Sequence, residues 1–272
     1  MNSPIRFLHI SDTHFGPTKD FIFHHKNPYK DAQNLVNEIN NLSVTPDFII
    51  HTGDLISFQD HDAYERAQEV LQDIKIPMYF TTGNHDDPEL LNNFPLFAKK
   101  KNLTERKDSV SYYFEFGNYL LITIDAKNPD DQNPSGVVAS DVLEKLNQLL
   151  SKTDKSFILF THFPALSLDA PWIDKHLLIS NGLTLHEMLK NFQSRCLGVF
   201  FGHIHQPLQT YADGILYISA PSTTFQFGGW ASDIDIISYH EKTLPGMNLV
   251  SVIGNQVIIK YLQLPIFKVP GY

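Results

Sequence analysis

Five short polar clusters recur through the chain: Asp12-Thr13-His14, Gly53-Asp54, Gly83-Asn84-His85-Asp86, the isolated His162, and Gly202-His203-Ile204-His205. Carboxylate oxygen, amide oxygen and imidazole together suit a mixed N/O site for Mn, Fe, Zn or Co. Asp12, His14, Asp54, Asn84, His162, His203 and His205 are too many ligands for one ion and the right number for two ions that share a carboxylate. Singly these clusters say little. Asp-x-His arises by chance, Gly-Asp is usually only a turn, and a lone histidine is more often a hydrogen-bonded structural residue. His203 and His205 form a stronger pair, because alternate residues of an extended segment point the same way. Glycine before Asp54, Asn84 and His203 is expected to permit tight backbone turns beside the ions.

The convergence lies in what precedes each cluster. Ile5–Ser11, Asp47–Thr52, Met78–Thr82, Phe157–Thr161 and Leu197–Phe201 all read as buried strands, and each cluster begins where its strand stops. Loops at strand C-termini are where open α/β sheets hold their ligands. Between the first three strands, Asp31–Leu42 and Asp62–Ile74 read as amphipathic helices, a strand–helix alternation that predicts a parallel unit. Further on, Ser111–Phe116 and Tyr119–Ile124 flank Gly117-Asn118, a hairpin signal, and Ala139–Ser151 and Leu183–Phe192 read as helices. From Leu208 the pattern is short strands: Leu208–Ala212, Ile215–Ser219, Asp233–Tyr239, Leu249–Val252 and Val257–Gln263, with hairpin turns at Asp213-Gly214 and Gly254-Asn255. The order fits an α/β fold of two mixed sheets packed face to face with helices outside. Residues 1–272 are expected to form a single domain with a β-rich part over about 208–263 and a tail, Leu264–Tyr272, docked on the surface.

Bulk properties narrow the partners. Hydrophobic residues make up 42% of the chain, enough for a packed core, and 12% aromatic content argues against disorder. A formal charge of −9 argues against a nucleic-acid polymer as partner, although bound cations can make a local anion site in an acidic protein. No apolar run is long enough to span a membrane, and the N-terminus lacks a signal-peptide pattern, so a cytoplasmic protein is expected. Cys196 is the only cysteine, which excludes an internal disulfide and a thiolate-built site. A homo-oligomer is left open. Of the thirteen histidines, His9 and His51 fall inside strands and read as core residues, while His24 and His25 sit in a polar loop, as solvated residues or as contacts to substrate.

The ordered set D-x-H, G-D, G-N-H-D, H and G-H-x-H, spanning Asp12 to His205, resembles the calcineurin-like metallophosphoesterases. That resemblance implies a four-layer αββα fold with two transition-metal ions. It implies that Asp12, His14 and His205 hold one ion, that Asn84, His162 and His203 hold the second, and that Asp54 bridges them. His85 then faces substrate instead of binding metal. Thr161-His162-Phe163-Pro164, Trp172-Ile173-Asp174, Asn181-Gly182 and the stretch Ala220–Phe227 are similar to bacterial class III cyclic nucleotide phosphodiesterases. Two departures stand out. Many relatives carry an aspartate where this chain has Ser57, so Asp86, Asp87 or a backbone carbonyl is left to orient His85. Thr161-His162-Phe163-Pro164 replaces the more usual His-His-Pro-Pro, which alters a pocket wall.

The reading that follows is a dinuclear-metal phosphodiesterase acting on a small phosphodiester, with a cyclic nucleotide preferred. His85 would stabilise the transition state or protonate the leaving alkoxide. Asn84 and His85 would contact substrate, and Trp172 and Phe225 could stack on a base. Competing readings are a phosphomonoesterase or glycerophosphodiesterase with the same metals, and a non-catalytic scaffold, which the complete ligand set and His85 disfavour.

Overall fold

The computed structural model describes residues 4–130, 132–239 and 243–266. Its elements run β1 (Ile5–Ile10), α1 (Pro28–Asn40), β2 (Phe48–His51), α2 (His61–Leu71), β3 (Met78–Phe80), α3 (Pro88–Asn92), β4 (Lys101–Asn102), β5 (Tyr112–Phe116), β6 (Tyr119–Thr123) and α4 (Ser140–Ser151). They continue with β7 (Ser156–Phe160), α5 (Pro171–His176), α6 (Gly182–Lys190), β8 (Cys196–Phe201), β9 (Gln209–Ala212), β10 (Ile215–Ser219), β11 (Gly246–Ile253) and β12 (Gln256–Gln263).

Two mixed sheets result. The first has the order β12-β11-β1-β2-β3 and the second β4-β5-β6-β7-β8-β10-β9. As the alternation predicts, β1, β2 and β3 are parallel neighbours, and β6, β7 and β8 form a second parallel run. The sheets meet through an aromatic layer: the Phe7 ring stacks on Phe48 at 5.0 Å and contacts Phe160 and Phe200 edge-on at 5.8 and 5.4 Å. Leu146 and Leu150 of α4 and Leu185 and Leu189 of α6 join Ile122, Leu159 and Val199 in a second core that covers the other sheet. Strands buried on both faces read as continuous apolar runs, which is why β1, β2 and β8 were legible.

All three predicted hairpins form. Gly117, Gly214 and Gly254 take positive φ at the turns, as does Asp213 at +47°. Leu264 is buried and Ile266 packs on the core, while Phe267–Tyr272 of the predicted docked tail lie outside the described residues.

One predicted strand does not form. Asp233–Tyr239 is a chain of turns and bends ending in an isolated bridge from Tyr239 to Phe227. Its alternating apolar residues mimic a half-buried strand, but Ile234 and Ile236 are 64% and 76% exposed, and it is Ile237, out of that alternation, that is buried. The Asp233 carboxylate instead accepts bonds from the Trp230 and Ser238 amides and the Ser238 hydroxyl, curling the segment. Two short helices were not anticipated, although both begin at a proline suited to a first helical turn. Asp87 caps α3 by accepting from the Glu89 and Leu90 amides, and Pro171 opens α5. Helix α1 starts at Pro28 rather than Asp31, because Asn27 accepts the Lys30 amide at 2.9 Å.

Candidate metal centre and active site

The five polar clusters meet at one edge of the sandwich. β1, β2 and β3 deliver Asp12/His14, Asp54 and Asn84/His85 from one sheet, and β7 and β8 deliver His162 and His203/His205 from the other. Asp12, His14, Asp54, His203 and His205 all have positive φ, between +49° and +67°. Non-glycine residues seldom adopt that region unless surrounding structure holds them there, and such residues gather at functional sites. Here the holding bonds are visible. The Asp12 and His14 amides donate to the carbonyls of Gly53 and Asp54 at 3.0 and 3.1 Å. The His203 amide donates to Asp12 Oδ2 at 3.1 Å, and the Ser222 hydroxyl donates to the Asp12 carbonyl at 2.8 Å.

The glycines act mainly by leaving space. Only Gly53 has positive φ among those preceding the site residues, at +93°. A Cβ on Gly83 would run into the Asp54 carboxylate and amide, and one on Gly202 into the Ser11 hydroxyl. Both glycines let one loop pass directly over another.

Two donor clusters result, with Asp54 between them. On one side His205 Nε2 lies 3.3 Å from Asp12 Oδ1 and 3.1 Å from His14 Nε2. On the other, His162 Nε2 lies 3.0 Å from His203 Nδ1 and 3.3 Å from Asn84 Oδ1. Asp54 Oδ2 approaches both, 3.9 Å from His14 Nε2 and 3.3 Å from His162 Nε2. Its other oxygen, Oδ1, accepts the His85 amide at 2.9 Å and so fixes the loop carrying Asn84.

These atoms fit cations. His162 Nδ1 donates to the Thr52 carbonyl at 2.6 Å and His205 Nδ1 to the Phe225 carbonyl at 2.9 Å, which turns each Nε2 lone pair toward its cluster. Burial holds His14 below its ordinary pKa, and burial with the nearby His162 pushes His203 down to about 3, so both offer lone pairs. Asp12 Oδ1 is buried without a hydrogen bond. Burial would lower His162, but Asp54 and Asp12 outweigh it and lift the ring to about 9. That is a demand for positive charge at this point, which a bound cation meets. Asp12, His14 and His205 form one group able to hold an ion, and Asp54, His162 and His203 another.

His85 stands apart. A ring nitrogen comes within 4.8 Å of ligand atoms on His14 and Asp54, so proximity alone would admit it as a ligand. It is half-buried where those two are buried, and it forms a wall of the cleft above the clusters. Its Nδ1 is 2.7 Å from the Ser57 carbonyl oxygen, which identifies the orienting group: a backbone carbonyl, not Asp86 or Asp87. Asp86 is a buried staple that accepts the Gly83, Leu55 and Ile56 amides at 2.9, 3.0 and 3.3 Å, tying the loop after β3 to the loop after β2.

A cleft of about 170 Å³ opens over the clusters, and Trp172 and Phe225 both line it. Sequence reasoning did not include Phe23, Pro134, Leu177 and Phe227, which complete its apolar walls. They come from loops without regular periodicity, so only the fold brings them together. His24 also lines the cleft, its ring 4.6 Å from those of Phe225 and Tyr239, whereas His25 does not. His9 and His51 are buried core residues, bonded to Thr52 and Thr13.

The chain is similar to several known proteins. The calcineurin-like phosphoesterase family model matches residues 5–207. A 3',5'-cyclic-nucleotide phosphodiesterase of Nostoc is 24% identical over 92% of the chain and 88% of its own length. A probable glycerophosphodiester phosphodiesterase GpdQ of Arcobacter nitrofigilis is 25% identical over 80% of the chain and 78% of its own. The 3',5'-cyclic adenosine monophosphate phosphodiesterase CpdA of Haemophilus influenzae is 27% identical, covering 82% and 78%. Among solved structures, GAP50, the anchor in the inner membrane complex of Plasmodium, shares the fold with a TM-score of 0.63 at 16% identity, over 96% of this chain and 85% of that one. Among the described residues no helix is long and apolar enough to cross a membrane.

Proposed function

The chain belongs to the calcineurin-like phosphoesterases, metal-dependent phosphoric ester hydrolases built on a dinuclear centre, and from that premise we propose that it is a phosphodiesterase of small diesters, with a cyclic nucleotide as the preferred substrate. The observation that carries the proposal is Asp54 Oδ2, poised between two groups of donors beneath a cleft that His85 borders. We assign Asp12, His14 and His205 to one ion, Asn84, His162 and His203 to the other, and Asp54 to both. Mn, Fe or Zn suits this set of oxygen and imidazole donors. Two such ions, when bound, activate water near neutral pH and neutralise charge on the phosphoryl group.

The protein's own part is to orient and to move protons. Asn84 is a neutral donor where a further carboxylate would cancel charge that the phosphate needs. His85, with Nδ1 engaged by the Ser57 carbonyl, has Nε2 left to deliver a proton to the leaving oxygen. Trp172 and Phe225 offer aromatic surface to a nucleobase. Residues 1–272 act as one catalytic domain in this reading, since β9 to β12 supply strands to both sheets. The cytoplasm is its setting.

The names of the relatives support cyclic nucleotide and glycerophosphodiester substrates alike, so a glycerophosphodiesterase is the second reading. Metal analysis coupled to turnover of 3',5'-cyclic nucleotides, glycerophosphodiesters and phosphomonoesters tests the proposal. Preference for monoesters over every diester would overturn it.

A further inference from the structure

The aromatic cleft has a neighbour. Ser57, Phe58, Gln59 and Gln132 line a second cleft of about 300 Å³ whose remaining walls are Asn84 and His85. Those same two residues line the aromatic cleft, so Asn84 and His85 are walls common to two adjoining spaces.

A phosphodiester has two ester oxygens on one phosphorus. With the phosphoryl group over the donor clusters, the oxygen that leaves must lie beside His85 to receive its proton. A cyclic diester returns both oxygens to one sugar and needs one space. An acyclic diester carries two independent arms, which diverge from phosphorus and need two. The second cleft adjoins the aromatic one along Asn84 and His85, and its lining suits an alcohol. No carboxylate borders it among the described residues. Gln59 and Gln132 carry amides that can both donate to and accept from hydroxyl groups. Phe58 is 54% exposed and presents a ring to carbon atoms.

We propose that the cleft lined by Ser57, Phe58, Gln59 and Gln132 is a leaving-arm subsite, which takes the hydroxylated alcohol arm, glycerol-like or nucleoside-like, of an acyclic phosphodiester. The proposal rests on the diesterase reading above. In the reaction, water adds its oxygen to phosphorus, the bond from phosphorus to the leaving oxygen breaks, and the His85 proton goes to that oxygen. The proton released by the water restores His85. Phosphomonoester stays over the clusters, and the free alcohol departs through the second cleft.

The test compares full-length, Mn²⁺-loaded protein with Gln59→Ala, Gln132→Ala and the double variant, with bound metal measured for each. Substrates are 3',5'-cyclic AMP and three diesters sharing one nucleoside arm, with methanol, glycerol or a second nucleoside as the other. The expected result is that the double variant lowers kcat/KM for the glyceryl and dinucleoside diesters about ten-fold relative to cyclic AMP, through KM, with the methyl diester moving as cyclic AMP does. Ratios equal to those of the parent protein would overturn the subsite alone. A parent protein that hydrolyses monoesters and none of these diesters would overturn the diesterase reading and the subsite with it.

Discussion

His85 Nδ1 sits 2.7 Å from the carbonyl oxygen of Ser57, so the ring is held by a group that cannot change its charge. The Ser57 side chain is occupied elsewhere, its hydroxyl donating to the His14 carbonyl at 2.7 Å. Orientation of His85 therefore belongs to the backbone of the loop after β2. Ser57→Ala is expected to cost about 1 kcal/mol of stability by removing one buried hydrogen bond. The relative rates on good and poor leaving groups should stay as they were. A thermal melt together with rates on a nitrophenyl and an alkyl diester checks both.

Removing the imidazole itself should discriminate between leaving groups. An alkoxide needs a proton as it departs and nitrophenolate does not, and general acid help is typically worth about two to four powers of ten. His85→Ala should lose that much on a cyclic nucleotide or glycerophosphodiester and far less on a nitrophenyl diester, with metal content retained. Equal losses would point to phosphate binding, and loss of metal would make His85 a ligand.

Asp54→Asn should release both ions, whereas Asp12→Asn should weaken one, because Asp54 Oδ2 faces both donor groups. Chelation should abolish turnover and Mn²⁺ should restore it. Metal-to-protein ratios for the two variants decide the point, and one tightly held ion in Asp54→Asn would move the bridge elsewhere.

Gly83→Ala adds a single methyl group where the Asp54 carboxylate and amide already stand. Overpacking of this kind costs about 1–3 kcal/mol. The displaced loop carries Asn84, so metal binding should fall along with stability. Parent-like melting and metal content would show that the two loops can part without loss.

Acid should destabilise the fold through two histidines that are not assigned as ligands. Burial pushes His9 down to about 3 and His51 to about 4, so the folded state keeps both neutral while the unfolded chain protonates them near 6.5. The unfolded state then binds more protons between about pH 6.5 and 4, and stability falls as pH falls through that window. Each histidine contributes about 1.4 kcal/mol per pH unit. Denaturant melts at pH 7 and pH 5 should differ less in His9→Gln than in the parent protein.

Much of this was readable beforehand because the site lies where apolar runs end. Burial on both faces made the strands before Asp12, Asp54, His162 and His203 conspicuous, and polar residues directly after them had little structural reason to be there. What escaped was whatever depends on backbone atoms or on loops. The Ser57 carbonyl carries no sequence signal, and Phe23, Leu177 and Phe227 become neighbours only through the fold. Asp86 and Asp87 looked equivalent, yet one staples three amides and the other caps a helix. Asp233–Tyr239 alternates without forming a strand, because the face that carries Ile234 and Ile236 is open to solvent.

The pairing of β1 with β11, Ile5 opposite Val252, gives the molecule a late step in its own synthesis. Every residue assigned to the metal centre has been made once His205 is joined, but until β11 arrives the strand leading to Asp12 and His14 has an unpaired edge. Closing so long a loop is slow, and exposed strand edges invite wrong partners. A ribosome-bound chain therefore carries every assigned ligand before the strand that closes the sheet beside Asp12 and His14 has been made.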